Sequence, residues 1–310
     1  MRLRQLLSLK EEFEKIDPSL CTESQIRDAL DKVDIGIRQM MEDLATLVQH
    51  NYHNRKWHDF AFIEETIGLY GDALAGIKLC LVRFAGMVYW CHDIGRLFEG
   101  CCVMTKNNAI AVPVTYENHG LAAVHIVLRR LAVEMVISDL ARAAFDYAIA
   151  HHHDRFLPEI GDDADYRLRV MDFFARFLRD VDMLGGLLRK TDGWLYDAGR
   201  KRDEREQYGI EGECGAIIPV TALDDFAKYL PVDIESIKKG GSWEGYQLSH
   251  LAWIFNISFR DTLDILVRGR VVEKYLAYFA KQLGETSEEY CPIRDTVRRY
   301  LDEQGVGHEF

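Results

Sequence analysis

The stretch Tyr89-Trp90-Cys91-His92-Asp93-Ile94-Gly95-Arg96-Leu97 decides how this chain is read. An apolar run ends in an adjacent His-Asp pair and a glycine, the pattern of a buried helix that hands two polar side chains to a cleft. Adjacent residues on a helix point about 100° apart, so both reach one centre only near a helix end. Gly95 supplies that end. Imidazole and carboxylate together suit iron, manganese, zinc or magnesium and leave room for water.

Working outward, Asp72 reads as the cap of an apolar helix from Ala73 to Cys91, preceded by a helix from Phe60 to Tyr70. Residues 95–118 read as a long loop, with Gly100, Asn107-Asn108 and Pro113. Asn118 caps a helix that runs to about Val136 and holds His119 in its first turn. Ser138 starts another, ending at Ala148-Ile149-Ala150-His151-His152-His153-Asp154. Tyr166 to Lys190 is one helix, with Phe173, Phe174 and Phe177 as core and Arg179, Asp180 and Asp182 among them. Toward the N-terminus, Leu6 to Ile16 is a short amphipathic helix. Thr22-Glu23-Ser24-Gln25 is a capping box that opens a helix of about seven turns reaching Leu44. Thr191 to Gly215 is polar and linker-like, and helices resume over Ala222–Tyr229, Tyr246–Asn256, Phe259–Leu283 and Pro292–Leu301. The expected class is all-α.

At 310 residues the chain is long enough for one large domain or two. No apolar run reaches the ~20 residues of a membrane span, and Met1-Arg2-Leu3-Arg4 leads into charged sequence, so the expectation is a cytoplasmic protein with no membrane partner. Seven cysteines without CxxC spacing suggest buried or free thiols rather than disulfides or a cysteine zinc site. A net charge of −12 argues against a broad grip on nucleic acid. Small anionic substrates stay open, since a bound metal can supply positive charge.

Candidate ligands stand near predicted helix ends: His58, His92-Asp93, His119, the triple His151-His152-His153, and Asp182. Six imidazole or carboxylate groups are what two adjacent metal ions require to activate water and clamp phosphoryl oxygens. Arg96 and Arg179 each adjoin a candidate ligand, where a guanidinium suits bidentate phosphate binding. His53 sits five residues before His58 and is a candidate phosphate or acid-base partner. His50, His125, His250 and His308 read as ordinary hydrogen-bonded residues, and Asp180, on another helix face from Asp182, as a salt-bridging group.

The order His, His-Asp, His, His, Asp resembles the HD superfamily of metal-dependent phosphohydrolases. Several phrases look like a group of bacterial predicted HD phosphohydrolases: Tyr52-His53-Asn54 followed by His58, His92-Asp93-Ile94-Gly95, Asn118-His119-Gly120, Ala148-Ile149-Ala150-His151-His152, and Arg179-Asp180-Val181-Asp182-Met183-Leu184. The likeness continues through Leu251-Ala252-Trp253-Ile254-Phe255-Asn256-Ile257-Ser258-Phe259 and covers roughly residues 46 to 304. It implies an HD helical bundle over 46–190, an N-terminal helical extension over 1–45, and a C-terminal helical region, 191–310, packed on the core. It further implies His58, His92, Asp93, His119, His152 and Asp182 as ligands of one or two divalent metal ions, iron, manganese, magnesium or zinc. Asp93, His119 and His152 would stand at the reacting centre, and His53, Asn54, Arg96 and Arg179 against the substrate.

The implied activity is hydrolysis of a phosphomonoester or phosphodiester, nucleotides included, by a metal-activated hydroxide that Asp93 orients. The alternative is a diiron oxygenase of HD type that cleaves C–C or C–P bonds with dioxygen. Val181, Met183 and Arg96 depart from the group's usual residues, which bears on substrate preference more than on ligation. The apolar residues Trp253, Ile254, Phe255, Ile257, Phe259, Leu263, Leu266 and Val267 need a cover, which the HD core or a second copy in a homodimer would supply.

Overall fold

The computed structural model describes residues 5–32, 35, 60–93, 120–121, 123–124, 137–152, 157, 160, 163–192, 194–197, 199, 201–202, 205, 210, 218–232, 237, 242–308 and 310. Its described residues are helical and include no strand. The class is all-α, as expected. The chain divides into two compact units, Leu9–Val181 and Met1–Ser8 with Asp182–Phe310.

In the first unit, helix α1 (Leu9–Glu14) is followed by a 3-10 turn at Pro18–Leu20, whose Asp17 cap accepts a hydrogen bond from the Ser19 amide. Helix α2 covers residues 23–32. Its capping box is reciprocal: the Thr22 amide donates to Gln25 Oε1 at 2.9 Å, and the Gln25 amide to Thr22 Oγ1 at 3.3 Å. Then come α3 (Phe60–Gly68), α4 (Leu79–Cys91), α5 (Asp139–His151) and α6 (Tyr166–Thr191), the last of which runs past Val181 into the second unit. The Ser138 hydroxyl accepts from the Ala141 amide at 3.1 Å and starts α5 as its sequence predicts.

One start differs from expectation. Asp72 does not cap α4; residues 69–77 form turns, Gly76 takes φ +85°, and the helix begins only at Leu79, after Lys78. A left-handed residue cannot sit inside a right-handed helix, so Gly76 ends the periodic run that the apolar pattern alone would extend.

Aromatic rings hold this unit together. Phe13 of α1 meets Phe173 edge-on at 4.6 Å, Phe84 of α4 meets Phe174 at 4.8 Å, and Tyr70 meets Phe177 at 5.5 Å. The stripe Phe173, Phe174 and Phe177 is therefore core. The N-terminal stretch read as an extension contributes Phe13 to this core, and the Leu20 carbonyl accepts from the Ser138 hydroxyl at 2.6 Å. Elsewhere around its circumference α6 also buries charge: Asp172 and Arg176 pair at 2.6 Å one turn apart, and Arg179 and Asp180 are buried. The last turn of α4, Met87 to Cys91, is buried all round, as its uninterrupted apolar run requires.

Asp146 of α5 gives this unit a pH dependence. Burial pushes its carboxyl from 3.8 up to about 6, although Arg142 pulls the other way. Between about pH 4 and 6 the folded chain keeps a proton that the unfolded chain has released, so stability is fully present below that window and is lost as pH rises through it. Asp146→Asn removes the penalty. For a partly solvated group we expect about 1 kcal/mol, or a melting temperature about 2–4 °C above wild type at pH 8, converging with wild type near pH 4. Equal differences at the two pH values would refute this account of Asp146.

The second unit contains a 3-10 turn at Trp194–Tyr196, α7 (Val220–Ala227), α8 (Trp243–Leu251) continued by 3-10 turns over Ala252–Asn256, α9 (Arg260–Arg268), α10 (Val271–Leu283) and α11 (Tyr290–Glu303). Two expectations change here. Leu7 is not helical but forms a parallel bridge with Phe259, its amide donating to the Ser258 carbonyl at 2.9 Å and its carbonyl accepting from the Arg260 amide at 2.9 Å. Phe259–Leu283 is not one helix but α9 and α10, broken where Arg270 adopts φ +56° after Gly269.

Two of the aromatic residues around Trp253 have partners within this unit, and most of the apolar residues there are buried. Phe255 packs on Phe226 at 4.8 Å, Tyr300 at 4.9 Å and Tyr229 at 5.2 Å, while Ile254, Ile257, Phe259, Leu263 and Leu266 are buried. Trp253 lies against Gly186, where a Cβ would stand 2.9 Å from the indole. His250 is an ordinary core histidine, its Nδ1 2.9 Å from the Tyr246 carbonyl and its pKa pushed well down by burial and by Lys190. Among the described residues, no helix is long and apolar enough to cross a membrane.

Candidate metal centre

The first unit brings together His92, Asp93 and His152, whose ligand atoms all lie within 4.8 Å of one another and whose side chains are buried. Two helix ends build this cluster. Helix α4 stops at Cys91, His92 is its C-cap residue, and Asp93 follows in the turn. Helix α5 packs against α4 and stops at His151, with His152 as its C-cap residue.

Helix ends leave their last carbonyls without intrahelical donors, and both histidines use one. His92 Nδ1 is hydrogen-bonded to the Tyr89 carbonyl, and His152 Nδ1 to the Ile149 carbonyl at 2.6 Å, each three residues back. A carbonyl oxygen only accepts, so Nδ1 carries the proton in both rings and Nε2 is the lone-pair atom of the neutral imidazole. The two rings stand edge to face, 5.0 Å apart at 88°. His92 Nε2 lies 3.6 Å from Asp93 Oδ1, and the Tyr89 ring stacks on His92 at 5.0 Å. His151 turns elsewhere, its ring 4.3 Å from Tyr147.

Cys91, between Trp90 and His92, is fully buried, and burial pushes its thiol pKa up. Cys21, Cys80, Cys91 and Cys291 are free thiols among the described residues, in line with the sequence reading.

Of the other residues singled out from the sequence, His53, Asn54, His58, Arg96 and His119 lie outside the described residues. Arg179 is buried on α6 in the first unit. Asp182 is half-buried on the same helix and is the first of its residues assigned to the second unit. Sequence reasoning did not find the Tyr89 and Ile149 carbonyls. The signal was present, because a histidine at the C-cap of a helix stands within reach of the orphan carbonyl three residues back.

Nor did it find the part played by Gly120. Residues 120–121 and 123–124 are helical, and a Cβ at position 120 would overlap the Ile149 carbonyl oxygen and stand 3.2 Å from His152 Cε1 and 3.3 Å from its Nδ1. Comparison of the chain with family models, with curated proteins and with solved structures returned no match.

Proposed function

We propose that this chain is a metal-dependent phosphohydrolase of HD type that cleaves a phosphomonoester or phosphodiester, nucleotides included. The observation that carries the reading is the buried set of two imidazoles and one carboxylate, each imidazole oriented by a main-chain carbonyl through Nδ1. Metal-binding histidines are held in this way, with the second ring nitrogen donating to a fixed acceptor. The dimensions are compatible with one ion. Ligand atoms on a tetrahedral ion, each about 2.0–2.2 Å from it, stand about 3.3–3.6 Å apart. His92 Nε2 and Asp93 Oδ1, 3.6 Å apart, match that spacing, and the 4.8 Å envelope of the set would close by about 1 Å on binding.

A divalent ion held there, iron, manganese, magnesium or zinc, would supply Lewis acidity toward a phosphoryl oxygen and lower the pKa of bound water. The chain's own groups do the rest. In their neutral form His92 and His152 present Nε2 lone pairs, and Asp93 brings a carboxylate to the centre. Burial strengthens each of these interactions relative to water. The roles of His58, His119 and Asp182 as further ligands, and of His53, Asn54, Arg96 and Arg179 toward the phosphoryl group, rest on the resemblance to HD phosphohydrolases.

The test is a screen of nitrophenyl phosphomonoesters, phosphodiesters and nucleotides with manganese-loaded protein, run beside an oxygen electrode with iron-loaded protein. We expect phosphoester cleavage that a chelator abolishes. Oxygen consumption without hydrolysis would replace this reading with the diiron oxygenase, and a protein that retains no metal and turns over nothing would end both.

A further inference from the structure

We infer that Gly120 is a positioning residue for His152, kept side-chain-free so that the imidazole holds its Nδ1 proton on the Ile149 carbonyl. The inference deepens the proposed function, since it rests on His152 belonging to the centre. Three observations carry it. First, glycine is not needed here for backbone conformation, because Gly120 is helical and its φ is not positive. At such a position alanine is the better residue by up to about 1 kcal/mol, so the glycine costs stability and asks for another reason.

Second, the space that a methyl group would fill is occupied by both partners of one hydrogen bond. A Cβ overlaps the Ile149 carbonyl oxygen, which is the acceptor, and crowds the donor ring at 3.2 Å and 3.3 Å. Third, that hydrogen bond, 2.6 Å long and buried, is a contact that places a proton on Nδ1 of His152. The acceptor is main chain at the last turn of α5 and cannot yield as a flexible side-chain tip would. A methyl at residue 120 therefore pushes the ring off its acceptor, and His152 loses its fixed orientation beside His92 and Asp93.

The experiment is Gly120→Ala in the full-length protein, read by long-range ¹H–¹⁵N correlation of the imidazoles without metal. Wild type is expected to show His152 with its proton on Nδ1, and the variant a mixture of tautomers. Manganese affinity should fall about 10–100-fold, the usual cost of losing a ligand's outer partner. Leu121→Ala, at an exposed neighbour, should change neither reading. A variant that keeps the wild-type tautomer overturns the inference.

Should Gly120→Ala fold too poorly for spectroscopy, its loss of melting temperature is compared in wild-type and His152→Ala backgrounds. A smaller loss without the ring supports the inference, and an equal loss overturns it by making the glycine a matter of backbone packing alone. If wild type binds none of manganese, iron, magnesium and zinc, the proposed function fails, while the tautomer result still decides the role of Gly120.

Discussion

Asp93→Ala is expected to abolish phosphoester turnover and to weaken metal binding by more than about 100-fold, beyond the 10–100-fold typical of an outer partner. The carboxylate lies 3.6 Å from His92 Nε2 and within the same 4.8 Å envelope as His152. It is the one anionic member of this described set. Without it, the described set would offer a dication two imidazoles and no carboxylate in a buried site. Helix content should hold, because Asp93 sits in the turn after α4 and adds little to the apolar core. The checks are metal stoichiometry, turnover and far-UV circular dichroism on one preparation. Full turnover in the variant removes Asp93 from the centre. Loss of helix along with activity would mean instead that metal binding and folding are coupled.

The second large effect concerns the core that holds the centre's helices. Phe174→Ala should destabilise the Leu9–Val181 unit by about 3–5 kcal/mol, the range for deleting a buried aromatic ring. Phe174 is 1% exposed and meets Phe84, Phe173 and Phe13 edge-on at 4.8, 5.0 and 6.4 Å. The surrounding rings belong to α1, α4 and α6, which leaves the void little room to collapse. Against total stabilities of about 5–15 kcal/mol, such a loss brings unfolding of this unit close to physiological temperature. Since α4 also carries His92, metal affinity should fall with it. Urea unfolding followed by hydrogen exchange at α4 amides would measure the change, and a loss under about 1 kcal/mol would show that Phe174 is not structurally central.

Features with a local cause were legible in the chain. Thr22 and Gln25 satisfy each other's amides, and Ser138 satisfies Ala141, through contacts three residues apart that any chain with those residues can make. The ends of α4 and α5 at the His-Asp pair and the triple histidine were legible for the same reason. Features that depend on backbone conformation at one residue were not. Periodicity carried the α4 reading back through Gly76 and the C-terminal reading through Arg270, and it cannot register a positive φ, least of all at a residue other than glycine.

The sequence by itself determined an all-α protein with His92, Asp93 and His152 at helix ends, because spacing and capping act within a few residues; Asp182, read near a helix end, lies inside α6. Only the tertiary structure decided that His92 and His152, sixty positions apart, stand with rings 5.0 Å from each other. It also decided that position 120 has no space for a methyl group. Both follow from how α5 packs on α4 and how residue 120 approaches the last turn of α5. Such contacts join residues far apart in the chain, and no local pattern encodes them.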